Sequence, residues 1–162
     1  MTDQTFSLNT LCTFWENYQQ RLIATIAPLS SAQLALPAAP HHWTVNELLI
    51  HMIGARIWWF SQWMGEENAA IVHWLETDES AVPEAAELVT MFEETWRVIS
   101  PALSRWTAAD LERLVPPPAS VAEKESAHTR QWIVWHVLEH EIHHGGELSL
   151  ALGGHGLQGI MM

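Results

Sequence analysis

The stretch that most constrains the fold is Trp132 to Gly154, WIVWHVLEHEIHHGGELSLALGG. It carries His136, His140, His143 and His144, four of the chain's ten histidines, with Glu139, Glu141 and Glu147 among them. On a helix each residue turns ~100° from the last. With His136 at zero, His140 falls near ~40°, His144 near ~80°, His143 near ~340° and Glu147 near ~20°. Five groups able to bind metal or move protons therefore share one stripe about 100° wide. Trp132, Ile133 and Val137 project into the same sector, so the stripe is expected to face a core. Several imidazoles on one inward face point to a metal site.

The rest of the chain supplies further helices. Phe6, Leu8, Leu11, Phe14, Trp15, Tyr18, Leu22 and Ile26 follow amphipathic spacing up to Pro28. The segment 29–43 reads as a linker, in which Ser30 or Ser31 caps a short turn and Pro37 and Pro40 exclude a long helix. Thr44-Val45-Asn46-Glu47 has the form of a capping box, opening a second helix from about Val45 to Met64, with Gly65 as its stop. His51 lies on it, looking inward with Glu47, Leu48, Ala55, Trp58 and Trp59 at helical spacing.

Residues 65–80 are polar and acidic, with a helical turn expected around Ala69 to Leu75. A third helix is expected to start near Pro83, with Glu84 and Glu87 at the positive end of its dipole and Pro101 kinking or dividing it. Thr107 and Asp110 mark a short capped turn. The segment from Val115-Pro116-Pro117-Pro118 to His128 reads as a long loop. Thr129 caps the fourth helix, which is expected to run to about Leu152 and stop at Gly153-Gly154. The tail from His155 to Met162 is expected to be loosely ordered. No strand pattern and no internal repeat appear. Four long helices with longer connections predict an all-α, four-helix bundle in a single domain, 1–162, with short extra helices in the connections.

Composition narrows the class. Apolar residues form 48% of the chain and charged residues 16%, which favours a compact globule over disorder. Ten tryptophans are many for this length and are expected to fill gaps between helices. The net charge of −12, without any Lys/Arg cluster, argues against nucleic acid and against an anionic membrane surface. Cys12 is the only cysteine, so no intramolecular disulfide forms, and it is expected to be a small core residue. No secretory signal and no bilayer-length apolar run are seen, so a cytoplasmic location is expected.

His140 and His144 sit one turn apart, where both imidazoles can reach one cation. A site open for chemistry commonly has three protein ligands. His51 is the best candidate for the third, being the only other histidine expected on a long buried helix face. The same spacing also fits a pair of hydrogen-bonded core histidines. His140-Glu141-Ile142-His143-His144 matches the H-E-x-x-H pattern of zinc peptidases. The wider context does not follow: the extended motif wants Gly at Glu147 and His at Leu150. His136 is a candidate hydrogen-bond donor orienting a ligand, or merely packed. Glu147 is a candidate ligand or base, or a helix-surface carboxylate. His41, His42, His73, His128 and His155 are expected in exposed loops or termini. No Gly-rich phosphate loop and no serine elbow are present.

The run His136-Val-Leu-Glu-His140-Glu-Ile-His143-His144-Gly-Gly-Glu147 resembles the C-terminal signature of the DinB/YfiT-like superfamily, in which a histidine pair four apart is typically followed by Arg-Gly-Gln. The segment Trp43 to Gly54 is similar to that superfamily's other signature, a capped helix with a single histidine. The resemblance implies an up-down-down-up bundle, often a homodimer, holding a divalent metal (zinc, nickel or iron) on His51, His140 and His144. Gly145-Gly146-Glu147 departs from the usual Arg-Gly-Gln and leaves Glu147 as an acidic substitute near the metal. Better understood relatives are thiol-dependent, which implies a small-molecule substrate, a low-molecular-weight thiol as co-substrate and S-transferase chemistry. Glu147 and His136 are then the candidate proton-relaying residues. A non-catalytic metal- or small-ligand-binding module is the main alternative, and an HExxH metallopeptidase a remote one.

Overall fold

A computed structural model describes residues 8–38, 43–66, 68–75 and 82–161. Seven helices account for most of them: α1 Leu8–Ile26, α2 Ser31–Leu34, α3 Val45–Arg56, α4 Ala69–Leu75, α5 Ala85–Arg105, α6 Ala108–Glu112 and α7 Arg130–Gly154. α3 continues without a break into a π-helical stretch, Ile57–Trp63. The expected single helix from Val45 to Met64 is thus one rod with two windings. Gly65, its expected stop, has φ +74°, the left-handed conformation that glycine adopts without a Cβ clash.

Local chemistry sets the helix starts. Thr44 and Glu47 form the expected capping box: the Thr44 amide donates to Glu47 Oε2 at 2.7 Å, and Thr44 Oγ1 accepts from the Glu47 amide at 3.2 Å. Ser30 with Gln33 and Thr107 with Asp110 close α2 and α6 in the same way. Thr129 Oγ1 accepts from the Trp132 amide at 3.2 Å and opens α7. At α5 the cap is Glu84, reciprocated by Glu87, so the helix begins two residues after Pro83. Pro101 does not divide α5, which runs on to Arg105. Its ring lies on the exposed side, where water can take the carbonyl that loses its donor.

α1 packs along α5, α3 along α7, and α3 also touches α5. Leu22, Ile26, Leu49, Met52, Phe92 and Val137 are among the side chains sealed between them. Gly145 makes room for the Tyr18 side chain of α1, since a Cβ there would sit 1.7 Å from the Tyr18 hydroxyl. Cys12 is buried, as expected. Trp15, Trp63, Trp96 and Trp106 fill interior gaps as expected, but Trp43, Trp132 and Trp135 remain 43%, 41% and 60% exposed.

Three expectations are corrected. Within the long loop, Leu114–Val115 (β1) pairs antiparallel with His128–Thr129 (β2), a two-residue ladder too short to leave an alternating pattern. The tail is anchored: the Leu157 amide donates to Leu152 O at 2.8 Å and the Ile160 amide to Ser149 Oγ at 3.1 Å. His128 is half-buried rather than exposed, because β2 lays it against Trp63 and Trp132. His73 and His155 are exposed as expected, whereas His41 and His42 lie outside the described residues. Among the described residues, no helix is long and apolar enough to cross a membrane.

Candidate metal centre

His51 comes from the middle of α3, His140 and His144 from successive turns of α7. The α3–α7 packing brings the three together although 89 residues separate His51 from His140. His51 Nε2 and His140 Nε2 are 2.9 Å apart, and one ligand nitrogen from each of the three rings lies within 4.8 Å of the others. The ring centroids of His51, His140 and His144 are 4.3–4.8 Å apart. Two ring nitrogens at 2.9 Å share one proton or one cation, because two N–H groups facing each other repel. His140 Nδ1 is buried and has no hydrogen-bond partner among the described residues.

Burial favours the neutral form of two of the rings, His140 and His51. Burial, reinforced by His144, His51, His136 and His143, pushes the His140 imidazole down to about 4. Burial also lowers His51, with His144 adding to the shift and Glu147 opposing it. Neutral imidazole is the form that binds metal. A nitrogen lies about 2.0–2.1 Å from zinc, so two nitrogens on one ion stand at most about 4.2 Å apart. The His51–His140 separation of 2.9 Å is within that limit and all three donors lie within 4.8 Å, so these histidines are a set that could hold a divalent metal ion.

His144 Nδ1 is 2.7 Å from Glu147 Oε2. An ionised carboxylate can only accept, so Nδ1 donates there, and in a neutral ring Nε2 then keeps its lone pair, the carboxylate–histidine arrangement that orients metal ligands. The hydrogen bond from His144 holds the Glu147 carboxyl below its ordinary value. Glu147 also reaches His143 Nε2 at 3.3 Å, but His143 is 67% exposed and stands outside the triad. His136 is half-buried, 6.2 Å from the His140 ring and stacked on Trp132. The five-member stripe thus divides into two inward imidazoles, an orienting carboxylate, a stacked ring and a surface ring.

Glu141 has a different part. Its side chain is fully buried and ion-paired with the equally buried Arg56, and it accepts a hydrogen bond from Trp15 Nε1. The Arg56 guanidinium also donates to Gln19 Oε1, to Phe92 O at 3.0 Å and to Thr95 Oγ1 at 3.1 Å. Tyr18 donates to the Glu141 carbonyl at 3.1 Å, its phenol pushed up by burial and by the Glu141 charge. A carboxylate so enclosed has no access to a metal-bound water, which removes the general base that an HExxH peptidase requires. Sequence reasoning missed Arg56, whose signal is a lone cation inside the apolar run of the second helix.

It also missed Trp43, which lies 4.5 Å from the His51 ring and 6.1 Å from that of His144. Trp59 and His128 were missed as neighbours of the stripe. Their signal was partly visible: His128, Trp132, His136, His140 and His144 recur at intervals of four.

Fold and site together define a helical protein that presents a histidine triad across two packed helices. The chain belongs to the DinB superfamily, whose family model matches residues 15–148. The crystal structure of a DinB-like protein from Bacillus cereus is similar at a TM-score of 0.72 and 18% identity, covering 95% of this chain and 96% of that one. A conserved protein from Enterococcus faecalis is similar at 0.69 and 16%, covering 92% and 99%. These likenesses establish the fold. No curated protein matches the sequence.

The imidazoles carry a pH prediction. His140, His51 and His136 all have folded pKa values depressed below the ordinary histidine value. The unfolded chain therefore binds more protons, and the stabilisation is full above about pH 6.5 and lost as pH falls toward about 4. The urea midpoint of metal-free protein should fall between pH 7.5 and pH 5, and His140→Gln should flatten that slope. A slope unchanged in His140→Gln would remove His140 as its source.

Proposed function

We propose that His51, His140 and His144 bind one divalent transition metal and that the loaded protein is a metal-dependent enzyme acting on a small molecule. The four long helices are read as an up-down-down-up bundle whose core carries the site, as in other bundles that build metal centres from facing helices. The observation that supports it most directly is the approach of His51 Nε2 to His140 Nε2 at 2.9 Å, with His144 in the same cluster. Three histidine nitrogens leave a fourth position for an exchangeable ligand. An ion held there supplies Lewis acidity, lowering the pKa of a coordinated thiol or water. Glu147 holds His144 in one tautomer, and partial burial of His140 limits water around the donors. The superfamily's thiol-dependent members favour S-transfer from a low-molecular-weight thiol to an electrophile. A homodimer is proposed on the same resemblance.

Untagged protein should carry close to one equivalent of zinc, nickel or iron by elemental analysis. The loaded protein should then turn over a panel of thiols and electrophiles above a His51→Ala control. Metal without turnover would make the protein a binding module. Metal at background would return the triad to a hydrogen-bonded histidine cluster.

A further inference from the structure

We propose that His143, His144 and Glu147 form a second site for a divalent transition metal, on the solvent side of α7, and that it competes with the triad for the His144 ring. Its donors can be tested without the triad; only the competition rests on the metal reading above. His143 Nε2 stands 3.3 Å from Glu147 Oε1, and His144 Nδ1 stands 2.7 Å from Glu147 Oε2. One carboxylate presents an oxygen to each of two imidazoles. The two rings are 5.0 Å apart and inclined at 73°. One ligand atom from each of the three side chains lies within 4.8 Å of the others. Imidazole nitrogen and carboxylate oxygen are donors that zinc takes at about 2.0–2.2 Å, so one of each on a single ion stand at most about 4.3 Å apart. Both histidine–carboxylate separations are inside that limit.

Two features separate this cluster from an ordinary surface ion pair, which is worth little. All three donors leave one helix within about a turn, where side chains three and four apart are neighbours, so they converge without help from tertiary packing. The second feature is the shared ring. His144 also lies 4.3 Å from the His140 ring and 4.8 Å from that of His51, so it stands between the two sets. His143 and Glu147 are exposed, whereas His144 is largely covered. A neutral imidazole keeps a lone pair on one nitrogen at a time. His144 can therefore bind a cation through Nδ1 in the outer set or through Nε2 in the triad, but not in both. With two of its three donors open to water, the outer set holds its ion weakly, and titration reads it where purified metal content does not.

Calorimetric titration with zinc chloride tests the site in chelator-treated, full-length His51→Ala/His140→Ala protein, in which the triad is dismantled. That protein should bind one equivalent of zinc more than the same protein carrying His143→Ala, His144→Ala or Glu147→Ala in addition. Any zinc held by other surface histidines is common to all four proteins and cancels in the comparison. Circular dichroism checks that each keeps its helices, and the same comparison made in His140→Gln decides the matter if the double variant does not fold. Unsubstituted protein already loaded with one equivalent should show no further zinc that depends on His143, because the triad then holds the His144 ring. Zinc uptake unaltered by His143→Ala, or retained in His144→Ala, would overturn the site and leave adventitious surface binding only. A second, His143-dependent equivalent in the loaded protein would overturn the competition. Outer binding as expected, in a chain whose unsubstituted form takes up zinc no more tightly than the double variant, would refute the triad reading alone.

Discussion

Arg56→Ala should destabilise the protein by about 3–5 kcal/mol, the cost of leaving a partnered buried charge alone. A domain's whole stability is about 5–15 kcal/mol, so this is a large fraction. The reason lies in the placement of the pair. Arg56 and Glu141 are both fully buried, and the groups around them come from all four long helices: Trp15 and Gln19 from α1, Arg56 from α3, Phe92 and Thr95 from α5, Glu141 from α7. Removing the guanidinium strands the Glu141 carboxylate and frees Gln19 Oε1 and Phe92 O from one partner each. Urea denaturation at pH 7.5 measures the loss. Replacing both charges, in Arg56→Met with Glu141→Leu, should recover part of it, because no buried charge is left unpaired. Recovery should be incomplete, since Trp15 Nε1 then loses its acceptor at a cost of about 1–3 kcal/mol. Arg56→Ala within about 1 kcal/mol of the parent would show that water or a rearranged side chain satisfies Glu141.

On the proposed site, His140→Ala should abolish stoichiometric metal. His140 is the ring that faces His51 directly and is the most strongly held in the neutral form. Its loss leaves two donors on different helices, too few for a closed or a catalytic site. Glu147→Gln should be milder, weakening metal about 10–100-fold, as for other residues that orient a ligating histidine. His143→Ala should leave affinity unchanged, because that ring is 67% exposed and outside the triad. Competition with a chromogenic chelator resolves all three. If His140→Ala keeps a full equivalent with unchanged coordination, the triad is not the site.

Much of this was legible from local chemistry. Side-chain and backbone groups three residues apart make a capping box, so Thr44–Glu47 and Thr107–Asp110 mark helix starts without reference to the rest of the chain. Residues four apart share a helix face, so His140 and His144 could be paired before the fold was known. His51 followed because its helix has one histidine on its inward face. Less legible was the division of labour within 140–147. Helical rotation puts Glu141 only ~100° from His140, and nothing local says that this turn points it at Arg56. The π-helical winding after Arg56 was equally hidden, so Trp59 could not be placed against Trp132 and His136.

The sequence by itself determined the helices, their caps and the histidine spacing, because each depends on groups within a turn or two along one chain segment. Only the tertiary structure decided that His51 meets His140, that Glu141 is sealed against Arg56, and that His128 and Trp59 pack against Trp132. Those contacts depend on the packing of α3 against α7 and on the strand pair before α7, across 85 and 89 residues in the two α3–α7 cases. The H-E-x-x-H string shows the difference most clearly. Its glutamate leaves the helix one residue after His140 and three before His144, and packing sends the two histidines to one cluster and the glutamate to another, closed one.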